Sequence, residues 1–189
     1  MAADNDAAWP WEDSPVCLIT GSAGGLGRAV GEALARRGAT VLLSARDSAK
    51  AASAARSADG GAGALRSLPA GLDVADAGSD HPRIVNVASG AGSHADTQYG
   101  LAARHGAAAS YGISKAAVLA LTATLAAELD GTPVIVNAVD PDLTATWPGA
   151  EAMGARPVTE SVPGIVWAAT LPDDGPRGGF FRDGQPHPW

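Results

Sequence analysis

Four short apolar runs, at residues 16–20, 40–44, 83–89 and 132–139, punctuate the chain. Runs of that length, rich in Val, Ile and Leu, suit strands buried on both faces. Between them apolar positions return at helical spacing. Ala29, Val30, Ala33 and Leu34 fall on one stripe of a helix over 28–37, and after Lys115 strong helix formers continue without Gly or Pro until Gly131. Weaker signals predict an Ala-rich helix and a Gly-rich loop over 48–63, a strand over 65–72 interrupted by Pro69, a short helix over 164–171, and a last strand and turn over 178–184. Strands alternating with helices predict an α/β fold around a parallel sheet.

Composition narrows this picture. With 189 residues, 46% of them hydrophobic, the chain is long enough for one domain with a proper core, expected over 15–189. Residues 1–14 are acidic and rich in small residues apart from Trp9-Pro10-Trp11, and predict a flexible leader whose two Trp can dock on the body or on a second subunit. A net charge of −7 argues against nucleic acid or an anionic membrane as partner. The single cysteine, Cys17, excludes an intramolecular disulfide and is expected as a buried, inert thiol. His94 and His105 have no third ligand at suitable spacing, so no metal is expected. There is no basic segment followed by an apolar one, and no apolar run near the roughly 18 residues of a membrane span. A cytoplasmic protein is expected.

Two stretches carry candidate chemistry. Tyr111-Gly-Ile-Ser-Lys115 opens the long helix, and residues four apart share a helix face. An ammonium beside a phenol favours phenolate, which suits the phenol to acid/base work. Near the other end, Thr20-Gly21-Ser22-Ala23-Gly24-Gly25-Leu26-Gly27 follows the first strand and leads into the first helix. Strand, glycine loop and helix in that order lay a pyrophosphate on a helix N-terminus.

Together, TGxxxGxG near the start and YxxxK past the middle resemble the short-chain dehydrogenase/reductase family, from about residue 16 onward. The resemblance implies a Rossmann-like, doubly wound parallel sheet and a nicotinamide cofactor. It carries over Tyr111 as general acid/base, Lys115 as the group that lowers its pKa and holds the ribose, and Ser89, at the end of the 83–89 strand, as the hydroxyl that polarises the substrate carbonyl. Gly21, Ser22, Gly25, Leu26 and Gly27 fall in the phosphate loop. Asp73 and Val74 match the pair that contacts adenine. Thr144 and Thr146 follow the 132–139 strand, Thr146 at the offset of the threonine that binds the nicotinamide carboxamide. Arg46, at the end of the second strand, stands where a basic residue accommodates the 2′-phosphate of NADP, so NADP is expected over NAD.

The sequence also departs from that pattern. Only nine residues, 75–83, separate Val74 from the 83–89 strand. In the family this interval holds a helix, a fourth strand ending in Asn-Asn-Ala-Gly and a long helix with the catalytic asparagine. Nine extended residues reach about 30 Å, enough to pass over a sheet but not to build a helical crossover. The expected fold is therefore a Rossmann-like sheet reduced by one strand and its flanking helices. The 83–89 strand then closes against the first strand, or a subunit covers the bared face, or the chain is a degenerate relative. Ser89 and Tyr111 are 22 positions apart, against the family's dozen or so, which predicts an extra loop over 93–109 on the substrate side. Asp142 replaces the glycine of the family's Pro-Gly after the 132–139 strand. The function this predicts is an NADP-dependent oxidoreductase acting on a small carbonyl or secondary alcohol, with homo-oligomerisation open. The alternatives are a cofactor-independent isomerase, dehydratase or cyclase on the same scaffold, and a non-catalytic relative.

Overall fold

A computed structural model describes residues 15–45, 48–57, 64–67, 81–103 and 109–189. The leader 1–14, Arg46, Asp73, Val74, Arg104 and His105 lie outside the described residues. The chain divides into two compact units: Met1–Ser79 with Thr144–Val162, and Asp80–Leu143 with Pro163–Trp189.

The first unit holds a parallel three-stranded sheet, β1 (Val16–Ile19), β2 (Thr40–Leu43) and β3 (Ala64–Ser67), in that spatial order. Its helices are α1 (Gly25–Arg36) and α2 (Ser48–Ser57). Helix α1 buries Val30, Ala33 and Leu34, the stripe predicted from their spacing. Gly31 lets this helix sit close to the sheet, since a Cβ there would lie 3.1 Å from Leu43 Cδ2. Strand β3 starts one residue before the predicted run, and the part of that run beyond Ser67 lies outside the described residues.

The second unit holds β4 (Arg83–Val87), β5 (Ile135–Asp140), β6 (Phe180–Arg182) and β7 (Gln185–Pro186). Strands β4, β5 and β6 are parallel, and β7 folds back antiparallel on β6. Every residue of β5 is buried, as its continuous apolar run requires of a central strand. The β6–β7 turn uses Asp183 and Gly184, both at positive φ (51° and 74°), the geometry in which an Asp-Gly pair closes a two-residue hairpin. Helix α3 (Ala109–Glu128) packs on this sheet through Leu119, which joins Ala88, Ala138 and Phe180 in one cluster. Trp167 meets Phe181 edge-on at 5.0 Å. Asn137, fully buried in β5, donates to Pro176 O and accepts from Gly179 N–H.

Among the described residues β1 pairs with β2 and β4 with β5. Two expectations are corrected. The predicted short helix over 164–171 is α4 (Val158–Ala169), which starts earlier and runs through Pro163 although a proline there supplies no helical N–H; the division between the two units falls inside it. Finally, α3 is long and apolar enough to cross a membrane by length and composition, with a mean hydropathy of 1.2, because its alanines raise the average between isolated polar residues. Its side chains are nonetheless tied to β4: Asn86 Nδ2 donates to Thr122 Oγ1 at 3.0 Å and Lys115 Nζ to Val87 O at 2.9 Å.

Candidate functional site

In the first unit the glycine loop is shaped by backbone geometry. Gly21 and Gly25 adopt positive φ (66° and 55°), which costs a side-chain-bearing residue about 1 kcal/mol or more. Gly27 is required for another reason: a Cβ there would lie 2.9 Å from Gly21 O and 3.1 Å from Ser22 Cα, so the first turn of α1 lies directly on the loop. Leu26 is half-buried in that turn. Ser22, expected among the cofactor residues, is fully buried. Its N–H donates to Ser44 O and its hydroxyl accepts from Ser44 N–H, both at 2.9 Å, while the hydroxyl donates to Ile19 O at 2.7 Å. This residue ties the loop to the ends of β1 and β2.

Helix α1 begins at a glycine cap, Gly24, whose position carries no side-chain hydrogen bond to the first turn. The opening amides of α1 are thus not taken by a capping side chain, and amides in that position could hold an anionic phosphate. Thr146, exposed, borders this place, with its Cβ 3.7 Å from where a Cβ on Gly25 would be. Thr144 is buried and its hydroxyl is 2.7 Å from that of Ser161, which also accepts from Arg156 Nε at 3.0 Å. These features fit a dinucleotide phosphate at the helix start, with Thr144 serving the fold beside Thr146. Cys17, in β1, is half-buried rather than fully buried, and burial pushes its pKa up to about 11.

In the second unit the carboxyl ends of β4 and β5 deliver the remaining groups, where parallel sheets bind ligands. Ser89 follows β4 and opens a short 3-10 turn, Gly90–Gly92, with its Oγ accepting from Ala91 N–H at 3.2 Å. An oxygen that accepts this bond keeps its own proton to donate. Tyr111 lies in the first turn of α3, about half exposed. Lys115, one turn later, places Nζ 5.7 Å from the Tyr111 ring centroid, within range of attraction to the ring. Burial lowers the pKa of Lys115, and the charge of Asp140 acts the other way, favouring the ammonium.

Two glycines join the serine turn to the tyrosine turn. A Cβ on Gly92 would lie 2.5 Å from the backbone carbon of Lys115 and the nitrogen of Ala116. A Cβ on Gly112 would lie 2.8 Å from Ala91 O. The structure therefore brings Ser89, Tyr111 and Lys115 onto one packed backbone junction. The extra stretch after Ser89 is tied down where it is described: Asp96 Oδ1 accepts from the N–H groups of Gln98 and Tyr99 at 2.8 and 2.7 Å. His94 is exposed. Asp142 keeps a positive φ of 58°, a conformation Asp tolerates better than most residues, and its carboxylate accepts from Leu143 N–H at 2.8 Å.

Sequence reasoning missed one feature, a cluster of charges behind Ser89. Asp96, Asp140 and His187 bring ligand-type atoms within 4.8 Å of one another. The guanidinium of Arg182 already lies between the carboxylates, with Nη2 2.5 Å from Asp140 Oδ2 and 3.3 Å from Asp96 Oδ2. An acid closing a strand whose other residues, apart from Asn137, are apolar, as Asp140 does in β5, was the available signal.

Parallel strands ending in a glycine loop, a serine turn and a Tyr-x-x-x-Lys helix define an oxidoreductase scaffold of Rossmann type. The chain belongs to the short chain dehydrogenase family, whose sequence pattern matches residues 15–80 and 72–153. These two stretches overlap where the connection before β4 is shortened. No curated protein matches the chain significantly. Solved structures with the same fold include the Pseudomonas aeruginosa RhlG/NADP active-site complex, 22% identical with a TM-score of 0.69 over 95% of this chain and 97% of that one. A Shigella flexneri 2a short chain dehydrogenase complexed with NADP is 18% identical, TM-score 0.69, over 96% and 100%. The Escherichia coli oxidoreductase yciK is 18% identical, TM-score 0.68, over 95% and 97%.

Proposed function

We propose that this chain is an NADP-dependent oxidoreductase that interconverts a small carbonyl compound and its secondary alcohol. The observation that carries this reading is the junction of the Ser89 turn with the Tyr111–Lys115 turn through Gly92 and Gly112, because carbonyl reduction needs a proton donor and a carbonyl-polarising donor held together. When bound, the dinucleotide supplies or accepts a hydride at nicotinamide C4. Ser89 donates its hydroxyl proton in a hydrogen bond to the carbonyl oxygen. Tyr111 gives that oxygen its proton as the carbonyl carbon is reduced, and takes it back in the reverse direction. Lys115, kept near the tyrosine ring by Val87 O, stabilises the phenolate left behind.

Preference for NADP is supported by Arg46, which follows Leu43 by three positions in the sequence, and by two structural neighbours that are NADP complexes. Phosphate binding falls to the α1 N-terminus with Gly21 and Gly25, and the nicotinamide side to Thr146. The proposed setting is the cytoplasm, with a small-molecule substrate and no nucleic-acid or membrane partner, and the oligomeric state is open.

Titrating NADPH against the full chain while following nicotinamide fluorescence tests this directly. Saturable binding is expected, with turnover over a panel of ketones and secondary alcohols. No binding at millimolar cofactor overturns the reading. Binding without turnover marks a non-catalytic relative, and turnover without cofactor, lost in Tyr111→Phe, marks an isomerase, dehydratase or cyclase.

A further inference from the structure

Directly behind the proposed catalytic serine lie two buried carboxylates, on Asp140 and Asp96. Buried carboxylates are costly unless paired and hydrogen-bonded, and both of these are. Asp140 Oδ2 accepts from Gly90 N–H at 2.8 Å and from Arg182 Nε at 3.1 Å and Nη2 at 2.5 Å, and its Oδ1 accepts from Asp142 N–H at 2.9 Å. Asp96 Oδ2 faces the same Arg182 Nη2 at 3.3 Å and His187 Nε2 at 3.2 Å. Gly90, the residue after Ser89, is wedged among these groups. A Cβ there would overlap Asp96 Oδ2 and lie 2.8 Å from Arg182 Nη2 and 3.0 Å from Asp140 Oδ2.

Such an arrangement is more than a salt bridge that satisfies itself. One of its acceptor positions is spent on the peptide N–H next to Ser89, and the charge of Asp140 also favours the ammonium of Lys115. The turn carrying Ser89 is thus held from two sides: by the α3 backbone at Gly92, and by the carboxylates at Gly90. We infer that Asp140 and Arg182, completed by Asp96 and His187, are positioning residues that fix the Ser89 turn for carbonyl chemistry. The inference rests on the proposed oxidoreductase reading for its catalytic consequence, and on geometry alone for the fixing of the turn.

The two parts separate experimentally. Asp140→Asn keeps the size of the side chain but removes the charge that pairs with Arg182. Amide hydrogen exchange at Gly90 and Ala91 in the full chain is expected to quicken at least roughly tenfold in this variant, whether or not the protein is active. In an active protein, kcat is expected to fall about tenfold to a hundredfold, the scale of a misplaced reacting group, while the KM for NADPH stays within about twofold. Arg182→Lys should keep most of the activity that Arg182→Gln loses. If Asp140→Asn does not fold, the double variant Asp140→Asn/Arg182→Gln removes both members of the Asp140–Arg182 pair, and the same exchange and kcat changes are expected of it. Unchanged exchange at Gly90 in a folded variant overturns the inference, as does a kcat equal to that of the unsubstituted chain. A natural chain that neither binds NADPH nor turns over carbonyl compounds overturns the proposed function instead, and the exchange experiment then decides the inference by itself.

Discussion

The glycine loop of the first unit and the serine turn of the second face the same task, holding a short backbone segment in one shape at the end of a strand. They do it with different chemistry. The glycine loop relies on positive φ at Gly21 and Gly25 and on the neutral hydroxyl of Ser22 between Ile19 and Ser44. The serine turn relies on close backbone packing at Gly92 and on the charges of Asp140, Arg182 and Asp96. A loop that must receive a polyanion is better built from neutral groups and open helix amides, since buried carboxylates there would repel the ligand. A turn that presents a neutral hydroxyl to a neutral carbonyl has no such restriction.

Substitutions can break this comparison at several places. Gly92→Ala should have the largest effect, because its Cβ meets backbone atoms of α3 at 2.5 Å and no side-chain rotation relieves it; loss of activity and a drop of several kcal/mol in a denaturant melt are expected, overpacking costing about 1–3 kcal/mol even where neighbours can shift. Ser22→Ala removes a buried hydroxyl that donates to Ile19 O and accepts from Ser44 N–H, and should cost about 1–3 kcal/mol while leaving exchange at Gly90 unchanged. Gly24→Asp separates stability from binding. Gly24 has an extended φ of −173° and open space around it, so a carboxylate can cap α1 and gain a few tenths of a kcal/mol, yet it competes with phosphate and should weaken NADPH binding about tenfold or more.

Acid sharpens the contrast most gently. Burial alone would raise the pKa of Asp96, but the N–H groups of Tyr99 and Gln98, with His187 and Arg182, hold it below the ordinary carboxylate value. The folded chain therefore keeps this group ionised at a pH where the unfolded chain takes up a proton. Its contribution to stability is full above about pH 4 and is lost as pH falls through the lowered value. Protection factors at 96–99 should fall in acid, while those at Ser22 and Ser44, whose mutual bonds involve no titratable group, should not.

How legible this was in the sequence follows the same division. The glycine loop, the α1 stripe and the Tyr111–Lys115 spacing are local patterns, and the structure places each on its expected element. What sequence could not supply is long-range. Asp140 meets Gly90 across 50 residues and Arg182 across 42, and no local period records such a meeting. Ser22 lies in the phosphate motif, yet its orientation depends on β2, 22 residues away. The shortened connection before β4 was visible by counting. Which strand edges then meet depends on long-range packing, which counting does not decide.

The most direct test mixes the chain with NADPH and a carbonyl panel and compares it with Tyr111→Phe, following NADPH consumption and cofactor binding together. Consumption by the natural chain, reduced at least about a hundredfold in the variant with NADPH affinity preserved, is the predicted result. A variant that consumes NADPH as fast as the natural chain would contradict the account.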